Sequence, residues 1–319
     1  MHIKPLLLTI ALIAIVLGGC AQSKIDSTEI IPIGGIKQFI DIKGNDGSKP
    51  LLLFITGGPG ESSIDSSDEF TNELKKHFVV IQWDQRECGK TLKLNKSPQP
   101  ITLAMCEQDT HELIDFLLNK FHRKKLFLMG WSWGTVLGFN AAEKYPDKLY
   151  AYLAISPVVN QLQSERIALQ MLKEEAAQHK NEKAINELAG VNIPFSAMDL
   201  YYDRKWMYIF DGQKVNDKAL KSYFIDPSKR WVTPLFAEAM AHNLTTELTS
   251  FKCPVYFFVG GKDYQTNRYI NQAYYHQLSA PKKQLFVYDD SGHAVLYTVS
   301  ALFQQDIITK VLPDIELKD

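Results

Sequence analysis

Buried strands stand out along this chain as short runs in which nearly every residue is apolar. Six such runs follow one another, at 51–55, 78–83, 125–129, 149–155, 255–259 and 284–288. Strands that are buried on both faces have continuous apolar sequences, as in a parallel sheet. The pattern therefore predicts a mostly parallel central sheet, and residues 30–42 add two short strands around a Gly-Gly turn.

Amphipathic helical patterns lie between these runs. Apolar residues at 113, 114, 117, 118 and 121 fall on one face of a helix over 101–121. Further helices are predicted at 135–145, 268–278 and 296–308. Because strands and helices alternate, we expect an α/β fold built from βαβ units, with helices on both faces of the sheet.

The alternation stops between residues 158 and 250. Residues 161–187 have a charged helical pattern, and the region after them is rich in aromatic side chains: Tyr201, Tyr202, Trp206, Tyr208, Phe210, Tyr223, Phe224 and Trp231. An insertion between core strands tends to lie over the face where the connecting loops gather. We therefore predict a helical lid at 158–250, between core segments at 30–157 and 251–319. A second packed domain that does not contact substrate is the alternative.

The first residues differ from the rest of the chain. A short basic start is followed by an almost wholly apolar stretch at 5–19, which ends in Leu-Gly-Gly before Cys20. This order is typical of a secretory signal peptide, and the stretch is shorter than the roughly 20 residues of a transmembrane helix. Leu-Gly-Gly-Cys resembles a bacterial lipobox, which implies a signal peptide at 1–19, acylation of Cys20 and a polar tether at 20–29.

The lipobox resemblance predicts an exported lipoprotein. Acyl chains would hold it in the cell envelope by burying methylene groups, and more than one chain makes the hold stable. Ala21 follows the cysteine, which implies the outer membrane if the host has two. A plain signal peptide or an uncleaved anchor remains the alternative.

Composition and charge narrow the function classes. The 319 residues suit one large domain with an insertion, and a formal charge of −1 gives no general case for nucleic acid as a partner. Beyond Cys20 the chain carries Cys88, Cys106 and Cys253. An odd number of cysteines in an exported protein cannot pair completely, so we expect mostly buried free thiols.

One motif carries the predicted chemistry. Residues 130–134 read Gly-Trp-Ser-Trp-Gly, and they stand between the apolar strand at 125–129 and a helix rich in small residues. This is the context that the G-x-S-x-G turn of hydrolases requires. Such a turn projects the serine hydroxyl from the carboxyl end of the sheet, next to a helix N-terminus that favours an oxyanion. The sequence thus predicts Ser132 as a nucleophile.

Ser132 needs a base and an acid, which in this fold follow it in the order acid, then histidine. His293 lies in a polar loop after the strand at 284–288, whereas the other histidines fall in the signal or beside helical patterns. Asp263 follows the strand at 255–259. An aspartate after glycine is also favoured in turns. Asp289 and Asp290 are rivals, but they lie too close in sequence to His293 to reach its ring easily.

A glycine-rich loop predicts the oxyanion site. Residues 56–60 read Thr-Gly-Gly-Pro-Gly and follow the strand at 51–55. Glycines let backbone N–H groups approach a ligand closely. We expect the N–H groups of Gly58 and Trp133 to hold an oxyanion, with a structural turn as the alternative reading of the loop. This chemistry requires no metal and no organic cofactor.

Three segments together resemble the proline iminopeptidase family of α/β hydrolases, which are serine aminopeptidases. They are the glycine loop at 57–60, the Asp-Gln-Arg segment at 84–91 and the elbow at 130–134. The likeness covers about residues 30–155 and 250–315. It implies an α/β-hydrolase fold, a catalytic triad of Ser132, Asp263 and His293, and oxyanion donors at Gly58 and Trp133. Asp84 and Arg86 are implied as structural supports.

The chain departs from the family pattern at three places near the site. Thr56 replaces a histidine, Glu87 replaces a glycine, and Trp131 fills a position that is usually small. Family aminopeptidases also hold the substrate amine with acidic residues of the lid. Candidates in this lid are Glu174, Glu175, Glu182, Glu187, Asp199, Asp203, Asp211 and Glu238, although a solvated helix face explains most of them. Tyr201, Tyr202, Trp206 and Trp231 suit either an apolar pocket or the lid core.

The expected reaction is acyl transfer through an acyl-enzyme on Ser132. An aminopeptidase acting on short peptides is the first hypothesis, and an esterase or amidase for small acyl compounds is the second. A lipoprotein that binds a ligand or partner without catalysis is the third. A lid carboxylate near Ser132 separates the first two, because an esterase has no ammonium to neutralise.

Overall fold

The computed structural model describes residues 23–211, 214–229 and 231–317. The signal peptide predicted at 1–19 and the acylation site predicted at Cys20 lie outside these residues. Eight strands in the described part form one sheet: β1 (Ile25–Ile33), β2 (Ile36–Gly44), β3 (Leu51–Ile55), β4 (Val79–Asp84), β5 (Leu126–Trp131), β6 (Leu149–Ile155), β7 (Val255–Gly260) and β8 (Lys283–Tyr288).

The strand order across the sheet is β1-β2-β4-β3-β5-β6-β7-β8. The β1–β2 and β2–β4 pairs are antiparallel, and all the pairs from β4 to β8 are parallel. Every residue of β3, β4, β6 and β7 is buried, as the continuous apolar runs predicted. The predicted mostly parallel sheet is confirmed.

Thirteen α-helices occur in the described residues: α1 (Asp68–Thr71), α2 (Gly89–Leu94), α3 (Leu103–Lys120), α4 (Trp133–Lys144), α5 (Gln161–Gln178), α6 (Glu182–Ala189), α7 (Ala197–Phe210), α8 (Asp217–Ile225), α9 (Val232–Met240), α10 (Leu244–Glu247), α11 (Arg268–Gln277), α12 (Val295–Thr298) and α13 (Ser300–Asp306). The helix predicted at 296–308 is interrupted at Val299, which adopts φ −130° and ψ 34°.

The two faces of the sheet bury separate apolar layers. Alternate strand residues such as Leu51 and Leu53 pack with α3, α4 and α11, whereas Leu52 and Phe54 pack with α1 and α13. Successive side chains of a strand point to opposite faces, so a fully apolar strand supplies both layers. The prediction of helices on both faces is therefore confirmed.

Six of the helices in the described residues, α5 to α10, are inserted between β6 and β7. They bury an apolar cluster of their own, which includes Leu172, Leu188, Trp206 and Met207. Helix α9 also contributes Leu235 and Ala239 to the core of the sheet. This insertion is the helical lid that the fold-class prediction contains.

The sheet begins earlier than the sequence pattern suggested. Residues 25–29 were predicted as part of a polar tether, but they pair with residues 40–44 of β2. Strand β1 forms the edge of the sheet, and the residues of one of its faces, Asp26, Thr28, Ile30 and Pro32, are exposed. An antiparallel edge strand keeps one face in water, so it lacks the continuous apolar signature of the inner strands.

Among the described residues, no helix combines the length and the apolar composition that crossing a bilayer requires. Cys88, Cys106 and Cys253 are free thiols, and all three are buried. Burial raises the pKa of the Cys106 and Cys253 thiols to about 12, so these side chains are neutral apolar residues of the core.

A buried ion pair joins the start of the sheet to α3. The Arg86 guanidinium donates two hydrogen bonds to the Asp109 carboxylate, at 2.6 and 2.7 Å, and both side chains are only 2% exposed. Gln38 donates to the same carboxylate. Gly34, at φ +56°, packs so closely that a Cβ there would lie 1.9 Å from an Asp109 oxygen. This contact agrees with the supporting role that the resemblance implies for Arg86.

Candidate active site

The serine of the G-x-S-x-G segment lies in a sharp turn between β5 and α4. Its backbone has φ +50° and ψ −120°, a conformation that L-residues rarely adopt. Two hydrogen bonds hold the turn: Ser132 N–H donates to the Ile155 carbonyl at 2.9 Å, and Thr135 N–H donates to the Ser132 carbonyl at 2.8 Å. The turn thus fixes the serine against β6.

The two glycines of the turn are required because neither position has room for a side chain. A Cβ at Gly130 would lie 2.6 Å from the Gly134 carbonyl oxygen, and a Cβ at Gly134 would lie 2.1 Å from the Ile55 carbonyl oxygen. Real Cβ atoms do not approach backbone this closely. The motif spacing therefore reflects contact between the turn, its own helix and β3.

The structure brings His293 to Ser132. The loop after β8 places His293 Nε2 2.9 Å from Ser132 Oγ, within hydrogen-bonding distance. The Ser132 residue is 7% exposed and the His293 side chain is 18% exposed. Both are thus largely withdrawn from water yet reachable from the cavity described below.

Asp263 completes this group of side chains. Its Oδ2 lies 3.0 Å from His293 Nδ1. Thr266 donates to the same carboxylate through its N–H, at 2.9 Å, and through its hydroxyl, at 2.8 Å. The carboxylate is fully buried, so these donors replace water around its charge. Asp290, one of the two rivals, instead pairs with Lys262 at 3.2 Å and is 96% exposed.

The glycine loop after β3 lies beside the serine. A Cβ at Gly57 would be 3.4 Å from Ser132 Cβ, and Gly58 adopts φ +126°, which only glycine reaches without strain. Trp133 is the first residue of α4, so its N–H has no partner within the helix. Gly58, Ser132 and Trp133 all line one cavity.

Asp84 supports the glycine loop from behind. It accepts hydrogen bonds from the Ser62 hydroxyl at 2.5 Å and from the Lys90 N–H at 2.7 Å. Burial raises the pKa of Asp84, and these donors oppose the shift. Ser62 lines the cavity. Asp84 thus acts through the loop rather than at the cavity surface.

A cavity of about 1030 Å³ opens above Ser132 and His293. Its volume lies at the upper end of the range for small-molecule sites. Helix α7 and its C-cap residue line it with Leu200, Arg204, Met207, Tyr208 and Asp211, which are spaced as one helix face. Much of the remaining lid wall is apolar: Leu220, Phe224, Val232, Phe236 and Ala239.

Of the eight lid acids predicted as candidates, all of which are described, only Asp211 lines the cavity. Burial and the nearby Asp263 charge raise the pKa of Asp211. The others have different contacts: Glu187 binds Lys205, Asp199 caps α7, and Glu238 accepts from the Leu103 N–H. The sequence could name Asp211 but could not single it out.

Asp203 belongs to a buried charge cluster at the cavity wall, which Arg204 of the same cluster lines. Arg204 donates to Asp203 at 2.6 Å and to both oxygens of Glu165, at 2.9 Å to the more distant one. Burial raises the pKa of Asp203, and the Glu165 charge adds to that shift. One guanidinium is thus shared by two carboxylates, so Arg204 brings no net positive charge to the cavity.

Sequence reasoning missed Glu61. This residue follows the glycine loop, lines the cavity and accepts a hydrogen bond from the Tyr223 hydroxyl of α8. Burial and the Glu61 charge raise the pKa of Tyr223, so the tyrosine is the donor. The contact joins the core to the lid. Its position three residues after Gly58 was the signal available in the sequence.

The aromatic residues proposed for a pocket belong mainly to the lid interior. Tyr201 and Trp206 are buried, and Tyr202 packs against the lid cluster. Trp231 lies against Gly60, where a Cβ would be 3.1 Å from its ring. The cavity aromatics contributed by the lid are Tyr208, Tyr223, Phe224 and Phe236.

The strain at Ser132 gives a stability prediction. Ser132→Gly should be more stable than Ser132→Ala by about 1 kcal/mol, because glycine reaches φ +50° without the Cβ penalty. Urea unfolding measures the difference. The same pair of substitutions at the exposed helical Ser222 should give the reverse order. Equal stability of the two Ser132 variants would contradict strain at this turn.

Comparison with known proteins agrees with this geometry. The sequence profile of the family described as alpha/beta hydrolase fold matches residues 50–298. The probable aminopeptidase YbaC of Bacillus subtilis (strain 168) is 28% identical over 294 residues, which are 86% of this chain and 92% of that protein. A proline iminopeptidase of Lactobacillus helveticus is 24% identical over 209 residues, 63% of this chain and 62% of that protein.

The fold comparison adds a solved structure. A proline iminopeptidase-related protein from Thermus thermophilus superposes with a TM-score of 0.56 at 17% identity, over 89% of this chain and 97% of that one. At this identity the likeness supports the fold alone. The profile match extends over most of the chain. The chain is therefore a member of the α/β-hydrolase fold family and a hydrolase.

Proposed function

We propose that this hydrolase is a serine peptidase of the aminopeptidase type, which releases N-terminal residues from short peptides. Ser132 is the nucleophile, His293 the general base and Asp263 the acid that orients it. The observation that carries the proposal is the 2.9 Å approach of Ser132 Oγ to His293 Nε2, in a cavity that also holds the lid carboxylate Asp211.

The reaction begins when Ser132 Oγ attacks the substrate carbonyl and His293 Nε2 takes its proton. Asp263, 3.0 Å from His293 Nδ1, stabilises the imidazolium. The N–H groups of Gly58 and Trp133 hold the oxyanion, and loss of one such donor costs about 10²–10³ in rate. His293 then protonates the leaving amine, and water hydrolyses the acyl-enzyme by the same steps.

Asp211 favours a substrate with a free amine. Among the described residues, the basic side chains of the cavity wall are Arg204 and Lys262. Arg204 is offset by Glu165 and Asp203, and Lys262 pairs with Asp290. The Asp211 residue is exposed and its carboxylate lies on the wall of a partly apolar cavity, where it attracts an ammonium group. The apolar lid wall suits a substrate with apolar side chains.

A reporter panel tests the peptidase. The full chain should hydrolyse aminoacyl-amide reporters with a free amine, should lose this activity when the amine is acetylated, and should favour Leu or Phe over Asp as the first residue. Ser132→Ala should reduce turnover by at least about 10⁴-fold, because the remaining groups supply no nucleophile.

The panel also separates the alternatives. If only simple esters or acetylated reporters react, the protein is an esterase or amidase. If no reporter reacts and a fluorophosphonate leaves Ser132 unlabelled, the third hypothesis, a protein that binds a ligand or partner without catalysis, is favoured and the proposal is wrong.

Asp211→Asn tests the amine site. For free-amine reporters we expect KM to rise about 10–100-fold, since a charge-assisted hydrogen bond is lost, while ester hydrolysis stays unchanged. Because the pKa of Asp211 is raised, its carboxylate is neutralised as pH falls, so wild-type kcat/KM for free-amine reporters should fall more steeply with decreasing pH than that of the variant. Glu182→Gln, at an exposed lid acid, is the matched control. Equal loss on esters would refute the assignment.

We also propose that the chain is exported and anchored through acylated Cys20, because small residues and a cysteine follow the apolar stretch at 5–19. A bacterial host fed a clickable fatty-acid analogue should label the full chain and recover it with membranes. Cys20→Ser should abolish both results, whereas Cys88→Ser, at a buried thiol, should not. Label retained in the Cys20→Ser chain would overturn the anchor.

A further inference from the structure

The backbone carbonyl of His293 is held by two side chains. Trp131 donates its indole N–H to this oxygen at 3.2 Å, and Ser156 donates its hydroxyl to the same oxygen at 2.8 Å. A carbonyl oxygen has two acceptor sites, so both bonds form together. We refer to Trp131, Ser156 and the His293 carbonyl as the carbonyl clamp.

Both donors lie next to the backbone that fixes the serine. Trp131 directly precedes Ser132 in the chain. Ser156 directly follows Ile155, whose carbonyl accepts the Ser132 N–H at 2.9 Å. The clamp therefore ties the histidine loop to the same ends of β5 and β6 that hold the serine turn. Serine and histidine are positioned from one short stretch of backbone rather than through the loop after β8 alone.

The donors are themselves held in place. Ser156 is fully buried, has φ +44°, and donates its N–H to the Phe258 carbonyl at 2.8 Å. The Trp131 ring packs edge-on against Tyr297, with centroids 5.8 Å apart, and against Gly57, where a Cβ would be 3.1 Å from the ring. Neither side chain can easily turn away from the His293 carbonyl.

We propose that Trp131 and Ser156 are positioning residues that set the distance between His293 Nε2 and Ser132 Oγ. This inference rests on the proposed function, in which His293 is the base. General-base catalysis requires the two atoms within hydrogen-bonding distance, and a misplacement of about 1 Å can cost about 10²-fold in rate.

The kinetic test uses the full chain and the reporter on which the wild type is most active. Trp131→Phe keeps an aromatic ring and removes the N–H, and Ser156→Ala removes the hydroxyl. We expect each to lower kcat about 3–10-fold with KM within about twofold. The double variant should lose at least about 100-fold, more than the product of the single losses, because either donor alone retains the carbonyl.

Trp83→Phe is the matched control, because Trp83 is buried and donates its indole N–H to Gln38 at 2.8 Å, outside the cavity wall. It should leave kcat unchanged while losing comparable thermal stability. A rise in KM alone for Trp131→Phe would show that the ring only lines the cavity, and multiplicative losses in the double variant would show that the donors do not share one task. Either result overturns the proposal.

A second readout does not depend on turnover. The Nδ1–H proton of His293 faces Asp263 at 3.0 Å, so it should give a low-field proton resonance in the wild type that is lost by exchange with water in the double variant and kept in Trp83→Phe. A resonance that persists in the double variant refutes the clamp. If the wild type hydrolyses no reporter, the proposed function fails, and this resonance still tests whether the clamp holds His293.

Discussion

The backbone of Ser132 is held in a strained conformation, and much of the surrounding architecture serves to hold it there. Such strain costs about 1–3 kcal/mol and persists only where neighbouring contacts determine it. Here β6 accepts the Ser132 N–H through Ile155, while the Ile55 carbonyl of β3 closes the space that a side chain at position 134 would need. The central strands β3, β5 and β6 are adjacent in the sheet, so three neighbouring strands meet at one turn.

This arrangement explains why residues far apart in the chain converge. In a parallel sheet all strand carboxyl ends lie at one edge, and ligands bind there. The glycine loop follows β3, the serine follows β5, Asp263 follows β7, and His293 follows β8. The lid is tied to the same edge, because Gln161 of α5 donates to the Gln265 carbonyl at 2.8 Å. The lid is thus hydrogen-bonded to the loop that carries Asp263.

The sequence was most informative where a short pattern of residues is compatible with only one local structure. Fully apolar runs indicated buried parallel strands, and glycines two residues on either side of Ser132 indicated a turn with no room for Cβ. His293 and Asp263 followed from their places after strands. The sequence did not show which acid of the lid lines the cavity. Acidic residues on exposed and on inward helix faces have the same sequence pattern until the packing of the helices is known. The sequence pattern also missed part of edge strand β1, since one of its faces remains exposed.

The buried charges of the lid connect helix packing to substrate recognition. Replacing buried ion pairs with apolar side chains is often neutral or stabilising, so stability alone does not explain Arg204 between Glu165 and Asp203. Their geometry offers a reason. Arg204 fixes the rotation of α7 about its axis relative to α5. Asp211 lies seven residues further on, which is about two helical turns, and so falls on the same face. Arg204 and Asp211 therefore both lie on the cavity wall, one held by carboxylates and the other open to substrate.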